Sequence, residues 1–424
     1  MPHGFFLLIA AQFASALADN ALLIVTIALL QQQGFPGWWA PLLKFGFTLS
    51  YVVFAPFVGA LADAWPKARL MSVMNGVKVA GVLALLCGLH PVAAFAVVGL
   101  GAAAYAPAKY GLLTEIVPPQ RLVAANGWVE VSVVCAALLG TVLGGLLVSP
   151  VMLAALTPEP AGRWLADLGA GALAGSLLLL LFVYGLAALL NIGVPDSGAR
   201  YPVSHLHPGR HAREFWQANG RLWRDRLGGL SLAVTTFFWG VGATLQFAVL
   251  RWATDVLALP LSQAAYLQAA GAVGVIVGAS VAARWVPLHR ARRMLLAGVV
   301  LGLAIAVVAS TRDLGWAVVG LGLVGLVGGL LVVPLNALLQ HRGFVLLSAG
   351  RSVAVQGFNE NASVLVMLAI YAALIAAETR IVPLMWGLGL GIAAVIGWLM
   401  WRERRLDRHA AGGLALRRSA RKHA

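Results

Sequence analysis

Twelve apolar segments, each long enough to cross a lipid bilayer, occupy most of the chain. A membrane-spanning α-helix needs about 20 mostly apolar residues. Hydrophobic residues make up 61% of the sequence and charged residues only 11%, whereas soluble globular domains carry about 25% charged residues. The sequence therefore predicts an all-α polytopic membrane protein with twelve transmembrane helices. These lie near residues 4–30, 40–62, 70–89, 92–113, 123–148, 170–193, 229–257, 263–285, 294–311, 315–339, 349–377 and 381–401.

Basic residues are concentrated in alternate connections between these segments. If the chain starts in the cytoplasm, the inner loops and tails hold 23 Lys and Arg side chains and the outer loops hold three. Cytoplasmic loops of membrane proteins carry such an excess, so we expect both termini in the cytoplasm. Topology and attraction to anionic lipid headgroups explain the net charge of +15, and no nucleic-acid partner is expected.

One long polar stretch divides the segments into two sets of six. We expect an N-terminal six-helix bundle at 1–193, a basic cytoplasmic linker at 194–228, a C-terminal six-helix bundle at 229–401 and a basic cytoplasmic tail at 402–424. The tail is low in apolar residues, so we expect it to be disordered or to lie on the anionic inner leaflet.

Short motifs recur in the two sets, in the same order. Residues 126–130 (NGWVE) are matched 230 positions later by residues 356–360 (QGFNE), and residues 106–109 (APAK) are matched 227 positions later by residues 333–336 (VPLN). Similar offsets favour an internal duplication. Two pseudo-symmetric six-helix bundles of this kind are typical of the major facilitator superfamily, in which the halves rock about a site near the bilayer midplane.

The turn after the second segment resembles a signature of that superfamily. Residues 59–69 (GALADAWPKAR) contain Gly-x-Leu-x-Asp followed by basic residues. In the superfamily this cluster latches the cytoplasmic side in one conformation, and Pro66 here replaces the usual glycine. The alternative is an ordinary turn whose charges only set the topology. The latch residues implied by the resemblance are Gly59, Asp63, Lys67 and Arg69.

Polar side chains recur on one face of several apolar segments, at helical spacings. A carboxylate at membrane depth is costly, so it usually faces the interior of a bundle or an aqueous cavity. No cation is evident near Asp19 or Glu360, which favours a binding role for both. The candidate substrate-binding residues are Asp19, Asn20, Lys109, Glu130, Gln246, Arg251, Asn336, Gln356, Asn359 and Glu360.

Two pairs of opposite charges leave alternatives open. Lys109 and Glu130 belong to neighbouring segments, and an ion pair between them would serve either a binding site or only the packing of two helices. Arg251 and Asp255 are four residues apart on one helix, so they either satisfy each other or leave Arg251 to bind a phosphate through its guanidinium.

Two further lysines lie within apolar segments. Lys44, near the outer end of segment 2, is long enough to extend its ammonium to the lipid headgroups. Lys78 lies deeper in segment 3, where we expect a carboxylate partner.

Four stretches resemble the bacterial lysophospholipid transporters of the major facilitator superfamily. They are residues 13–23 (FASALADNALL), 101–111 (GAAAYAPAKYG), 333–340 (VPLNALLQ) and 359–361 (NEN), and the resemblance covers about residues 5–401. It implies a monomeric flippase of the bacterial inner membrane. Such a protein moves lysophospholipids, chiefly lysophosphatidylethanolamine, from the outer to the inner leaflet. A cytoplasmic acyltransferase with acyl-carrier-protein synthetase activity then restores the second acyl chain.

The resemblance also implies roles for charged residues. Asp19 or Glu360 would bind the substrate ammonium, and Lys109 or Arg251 its phosphate. Relatives carry a basic residue where this chain has Gln246, which leaves the phosphate ligand open. A proton-coupled exporter of amphipathic drugs or other small solutes is the alternative function. An enzyme is not expected, because the histidines fall almost wholly in loops and tails and no nucleophile motif is present, and no cofactor or metal is expected.

Overall fold

The computed structural model describes residues 3–36, 39–156, 170–199, 201, 208–259 and 261–420 of the 424-residue chain. Regular secondary structure within these ranges is helical. The described α-helices are α1 (His3–Gln32), α2 (Trp39–Val53), α3 (Ala55–Ala64), α4 (Lys67–Leu86), α5 (Pro91–Ile116), α6 (Leu122–Leu147), α7 (Pro150–Leu156), α8 (Ala174–Ile192), α9 (Pro208–Arg224), α10 (Arg226–Asp255), α11 (Leu261–Trp285), α12 (Leu295–Ser310), α13 (Leu314–Leu346), α14 (Ala349–Ala376) and α15 (Ile381–Ala420).

The twelve predicted segments correspond to helices of the structure. In the described ranges eleven helices are individually long and apolar enough to cross a membrane, and α2 and α3 form a twelfth span bent by 62°. The break at Phe54 was not predicted. Pro56 lies in the first turn of α3, where its missing N–H is tolerated, whereas inside a continuous helix it would remove a hydrogen bond and clash with the preceding turn.

The polar linker and the basic tail both contain helix in the structure. The linker contains the amphipathic helix α9, whose buried Phe215 and Leu222 pack in one cluster with Ala55 of α3 and Val355 of α14. The expected boundary at 401/402 is not a structural break, because α15 stays helical to Ala420. Of the two alternatives for the tail, disorder does not hold over 402–420, and a position on the anionic inner leaflet remains an expectation.

The spans pack as two halves, α1–α8 and α10–α15. Small residues allow the closest helix contacts, as is usual in membrane proteins. In the second half, a Cβ at Gly278 of α11 would lie 1.9 Å from the backbone oxygen of Leu326 in α13. A larger residue at position 278 would push these two helices apart.

The two halves meet at one end of the bundle. Asp63 accepts hydrogen bonds from the Ser348 hydroxyl and from the Gly350 N–H, the latter at 2.8 Å. Asn126 and Gln340 exchange two amide hydrogen bonds of 2.9 and 3.0 Å. Every side-chain hydrogen bond between the halves that involves described residues belongs to this group. We call this the latch end.

At the opposite end the contact between the halves is looser. The residues of α14 up to Gln356 are mostly buried, whereas every residue from Gly357 to Ala376 is at least partly exposed. Residues 357–376 are therefore packed less tightly than the start of α14, although α14 still contacts α2 of the first half. We call this the open end, and the space between the halves is the cleft.

We expect Gly127→Ala to loosen the latch end. A Cβ at Gly127 of α6 would lie 2.5 Å from the Cβ of Ala283 and 2.9 Å from the backbone oxygen of Ala279, both in α11. Overpacking of this kind costs about 1–3 kcal/mol, and separation of the halves relieves it. Spin labels at Arg69→Cys and Arg293→Cys in a background without the two native cysteines should report a longer distance across the latch end.

Gly185→Ala is the matched control, because no atom lies within 4 Å of a Cβ at that position in α8. It should leave the label distance unchanged. An unchanged distance in Gly127→Ala would show that the α6–α11 contact does not hold the latch end closed.

Candidate functional site

A buried polar network inside the first half surrounds Asp19. Lys78 Nζ of α4 lies 2.7 Å from Asp19 Oδ2 and donates to Ser15 Oγ at 2.9 Å. The Tyr184 hydroxyl of α8 donates to Asp19 Oδ1 at 2.7 Å. The Lys78 side chain is 2% exposed and that of Asp19 is 17% exposed. The expectation that Asp19 lacks a cation is therefore wrong, whereas the expected carboxylate partner of Lys78 is confirmed.

A second cation, Lys109 of α5, is held on the side nearer the latch end. Its Nζ donates to Gln12 Oε1 at 3.0 Å and lies 4.2 Å from the centre of the Tyr110 ring. Gln12 in turn donates to Ser132 Oγ at 2.8 Å. Glu130 of α6 lies within electrostatic range of Lys109. Among the described residues, however, Lys109 and Glu130 are not an ion pair within 4.0 Å, so Gln12 takes the place of the expected partner.

The second half contributes a chain of three polar side chains. Gln356 Nε2 of α14 donates to Asn336 Oδ1 of α13 at 3.0 Å and to Glu360 Oε1 at 2.8 Å. Within the described part of the chain no Lys, Arg or His lies within 4.0 Å of the Glu360 carboxylate, as the sequence indicated. Asn336, Gln356 and Glu360, all candidates from the sequence, are thus brought together.

Two carboxylates from the two halves approach each other beside the latch. Glu130 and Glu360, which occupy matching positions of the internal repeat, lie within electrostatic range of each other. The Tyr110 hydroxyl is within range of both. Glu130 lies one helical turn beyond Asn126, whose amide bonds cross the halves. The floor of the cleft therefore carries one acidic group from each half and the ammonium of Lys109.

Four candidates lie outside this group. The Asn20 amide donates to Ala16 O of its own helix at 2.8 Å. Asn359 accepts from Trp223 and donates to Asn219, so it holds the linker helix α9. Gln246 is exposed and contacts Gln268 at 3.4 Å. Arg251 forms an ion pair of 3.2 Å with Asp255, which matches the pairing alternative stated from the sequence.

Of the four predicted latch residues, two contact the second half, and two make no hydrogen bond or ion pair with its described residues. Gly59 permits close packing, because a Cβ there would lie 2.8 Å from the Cβ of Ala354 in α14. Asp63 bonds across the halves, as described above. Lys67 instead pairs with Glu115 of its own half at 2.6 Å, with both side chains 2% exposed. Arg69 is exposed and makes no hydrogen bond or ion pair with a described residue.

Lys44 of α2 is a residue whose placement the sequence analysis missed. Its side chain is exposed, yet it lies within electrostatic range of Asp19, inside the first half. Tyr51, seven residues later on the same helix face, is also within range of Asp19. Lys44 therefore lies on the side of α2 that faces Asp19. The sequence signal for this placement was that Lys44 and Tyr51, seven residues apart, lie on the same face of one helix.

Comparison with known proteins identifies the family. Residues 5–359 match the sequence profile of the Major Facilitator Superfamily. The lysophospholipid transporter LplT of Yersinia enterocolitica is 40% identical over 376 residues, which cover 88% of each chain. That of Serratia proteamaculans is 40% identical over 365 residues, or 86% of each chain. The chain belongs to the LplT family of the major facilitator superfamily.

Solved structures agree with this family in fold. The transporter FucP in its outward conformation matches with a TM-score of 0.72 at 15% identity, covering 94% of this chain and 98% of FucP. A bacterial homologue of the iron transporter ferroportin, in an outward-facing state, matches with a TM-score of 0.69 at 16% identity, covering 95% and 99%. The predicted all-α fold with two six-helix bundles is confirmed, and the LplT family consists of transporters rather than enzymes.

We expect Lys78→Met to destabilise the protein strongly. It leaves the Asp19 carboxylate without its cation inside the first half, and removing one partner of a buried ion pair costs about 3 kcal/mol or more. The double variant Asp19→Asn/Lys78→Met should recover most of that loss, because neither charge then remains. Thermal unfolding of the two single variants and the double variant in detergent measures the coupling. Additive losses would show that the pair contributes no coupling energy.

Proposed function

We propose that this protein transports lysophospholipids across the bacterial inner membrane, from the outer to the inner leaflet. The relatives that are 40% identical over almost the whole chain carry the name lysophospholipid transporter. The supporting observation in the structure is the pair Glu130 and Glu360, two carboxylates from opposite halves that have no ion-pair partner among the described residues. The ammonium of a zwitterionic headgroup in the cleft would supply the positive charge that these two carboxylates lack.

The proposed orientation places the latch end in the cytoplasm. The excess of basic residues falls in the connections at that end, in agreement with the positive-inside rule. The open end then faces the outer leaflet, where the substrate enters. The halves formed by 1–193 and 229–401 would rock about the cleft, and opening of the contacts at Asp63 and at Asn126 would release the substrate inward.

The proposed headgroup site revises the sequence hypothesis for Asp19. Because Lys78 and Tyr184 already satisfy the Asp19 carboxylate, we assign the ammonium to Glu130 and Glu360. The phosphate is assigned to Lys44 or Lys109, both of which lie in the first half, since Arg251 is paired with Asp255.

An apolar surface is available for the single acyl chain. Val366, Ile370 and Leu374 lie at four-residue spacings on one face of α14 and are 57%, 48% and 40% exposed. This stripe starts six residues beyond Glu360, toward the open end. A headgroup at the floor of the cleft could thus leave its tail against α14. We further propose a monomer whose product is reacylated by a cytoplasmic acyltransferase with acyl-carrier-protein synthetase activity.

We expect Glu360→Gln to reduce uptake of labelled lysophosphatidylethanolamine by proteoliposomes about tenfold, which corresponds to ~1.4 kcal/mol. The amide keeps the size of the side chain and its bond to Gln356 but removes the charge that binds the ammonium. Uptake of lysophosphatidylglycerol, which has no ammonium, should fall much less. Glu378→Gln, in the exposed turn after the same helix, is the control and should transport both substrates normally.

An equal loss for both lysolipids would remove Glu360 from ammonium recognition. Absence of lysolipid uptake by the unaltered protein, together with efflux of amphipathic drugs, would replace the proposed function by drug export.

We expect Lys44→Gln to raise the half-saturating concentration of lysophosphatidylethanolamine several-fold, because the phosphate loses a nearby cation. Lys44→Arg should retain most of the affinity, since a guanidinium also binds phosphate. Arg312→Gln, an exposed residue outside the cleft, is the matched charge control. Equal kinetics for Lys44→Gln and Arg312→Gln would leave Lys109 as the phosphate ligand.

A further inference from the structure

A cavity of about 190 Å³ lies outside the cleft, at the latch end of the second half. It forms where the linker helix α9 ends, α10 begins and α15 leaves its apolar stretch. Glu130, Glu360 and Lys109 do not line it. The cavity is therefore separate from the proposed substrate site.

The lining of this cavity changes from apolar to basic along the membrane normal. Leu230 and Ala233 follow the start of α10, and Leu399 precedes the basic end of α15, so these apolar residues lie on the membrane side. Arg224 and Arg402 line the opposite, linker side.

Two tryptophans, Trp223 and Trp398, also line the cavity and are 41% and 55% exposed. Tryptophan is enriched where hydrocarbon meets water. The cavity thus lies across the membrane interface.

The acidic residues of the lining are already neutralised. Asp225 forms an ion pair of 2.6 Å with Arg342, and the hydrogen bonds from that guanidinium hold the pKa of Asp225 below its usual range. Glu403 is paired with Arg226 at 2.9 Å. Arg224 and Arg402 are exposed, and neither has an acid within 4.0 Å among the described residues. These two guanidinium groups are the surplus positive charge of the cavity.

We propose that this cavity binds an anionic diacyl phospholipid of the surrounding bilayer, with Arg224 and Arg402 contacting its phosphate and one acyl chain lying along the exposed Trp398 on the apolar side of the cavity. Basic pockets at the cytoplasmic side of membrane helices recognise such headgroups, and guanidinium groups bind phosphate through paired hydrogen bonds. The apolar wall favours a lipid over free phosphate, which would leave that wall in contact with water.

Lipid in this cavity would hold the latch end closed. Trp223, one wall of the cavity, donates a hydrogen bond of 3.1 Å to Asn359 of α14. The same linker helix packs on Ala55 of the first half and Val355 of the second. A bound lipid that orders Trp223 therefore strengthens a contact that joins both halves.

The test is thermal unfolding of the full-length protein in detergent with added lipid. Phosphatidylglycerol should raise the unfolding temperature by about 3 °C or more, because a ligand that binds only the folded state stabilises it. Phosphatidylethanolamine and inorganic phosphate should have much smaller effects. The variant Arg224→Gln/Arg402→Gln should lose the response to phosphatidylglycerol, and native mass spectrometry should show fewer retained phosphatidylglycerol molecules.

Arg405→Gln is the matched control. Arg405 stacks over Trp401 at 5.4 Å much as Arg402 stacks over Trp398 at 5.8 Å, but Arg405 does not line the cavity. This variant should keep the full response. The proposal fails if the unaltered protein shows no response, if the double variant keeps it, or if phosphatidylethanolamine acts equally. An equal response to inorganic phosphate would assign the cavity to a soluble anion instead.

Discussion

A charge inside a membrane-spanning helix must find a partner or reach water, because hydrocarbon solvates neither ammonium nor carboxylate. The first half uses the first solution for Lys78 and Asp19, and again for Lys67 and Glu115 at the latch end. Glu360 uses the second, since it is partly exposed beside the cleft. Glu130 is buried and has neither water nor an ion-pair partner among the described residues. Charges that have an ion-pair partner within the protein stabilise the fold, whereas charges without such a partner are available to bind a substrate.

The contacts at the latch end give the cleft its shape. Glycine contacts bring α3 against α14 and α6 against α11, while Asp63 and Asn126 supply hydrogen bonds across the halves. Few groups are involved, and their loss exposes polar atoms that water can solvate. Such a contact can open without unfolding either half. The linker helix α9 lies on the same end, so the connection between the halves also takes part in their closure.

The internal repeat is preserved in position but not in contacts. Glu130 and Glu360 match in sequence and lie within electrostatic range of each other, whereas their neighbours differ. Asn126 bonds to Gln340 of the other half, but its counterpart Gln356 bonds to Asn336 of its own half. Lys109 corresponds to that neutral Asn336, so the cation of the floor comes from the first half alone. The proposed headgroup site in this duplicated fold is therefore not symmetric.

The sequence by itself determined the twelve spans, the two sets of six and the family, because hydrophobic length and local motifs are properties of single segments. It also indicated the Arg251–Asp255 pair, since i,i+4 geometry is local to one helix. It did not determine that Lys78 neutralises Asp19, that Asn359 holds α9, or that Lys44 faces Asp19. Those contacts depend on how each helix is rotated and where it bends, and only the packing of α2, α4 and α9 against their neighbours decides that.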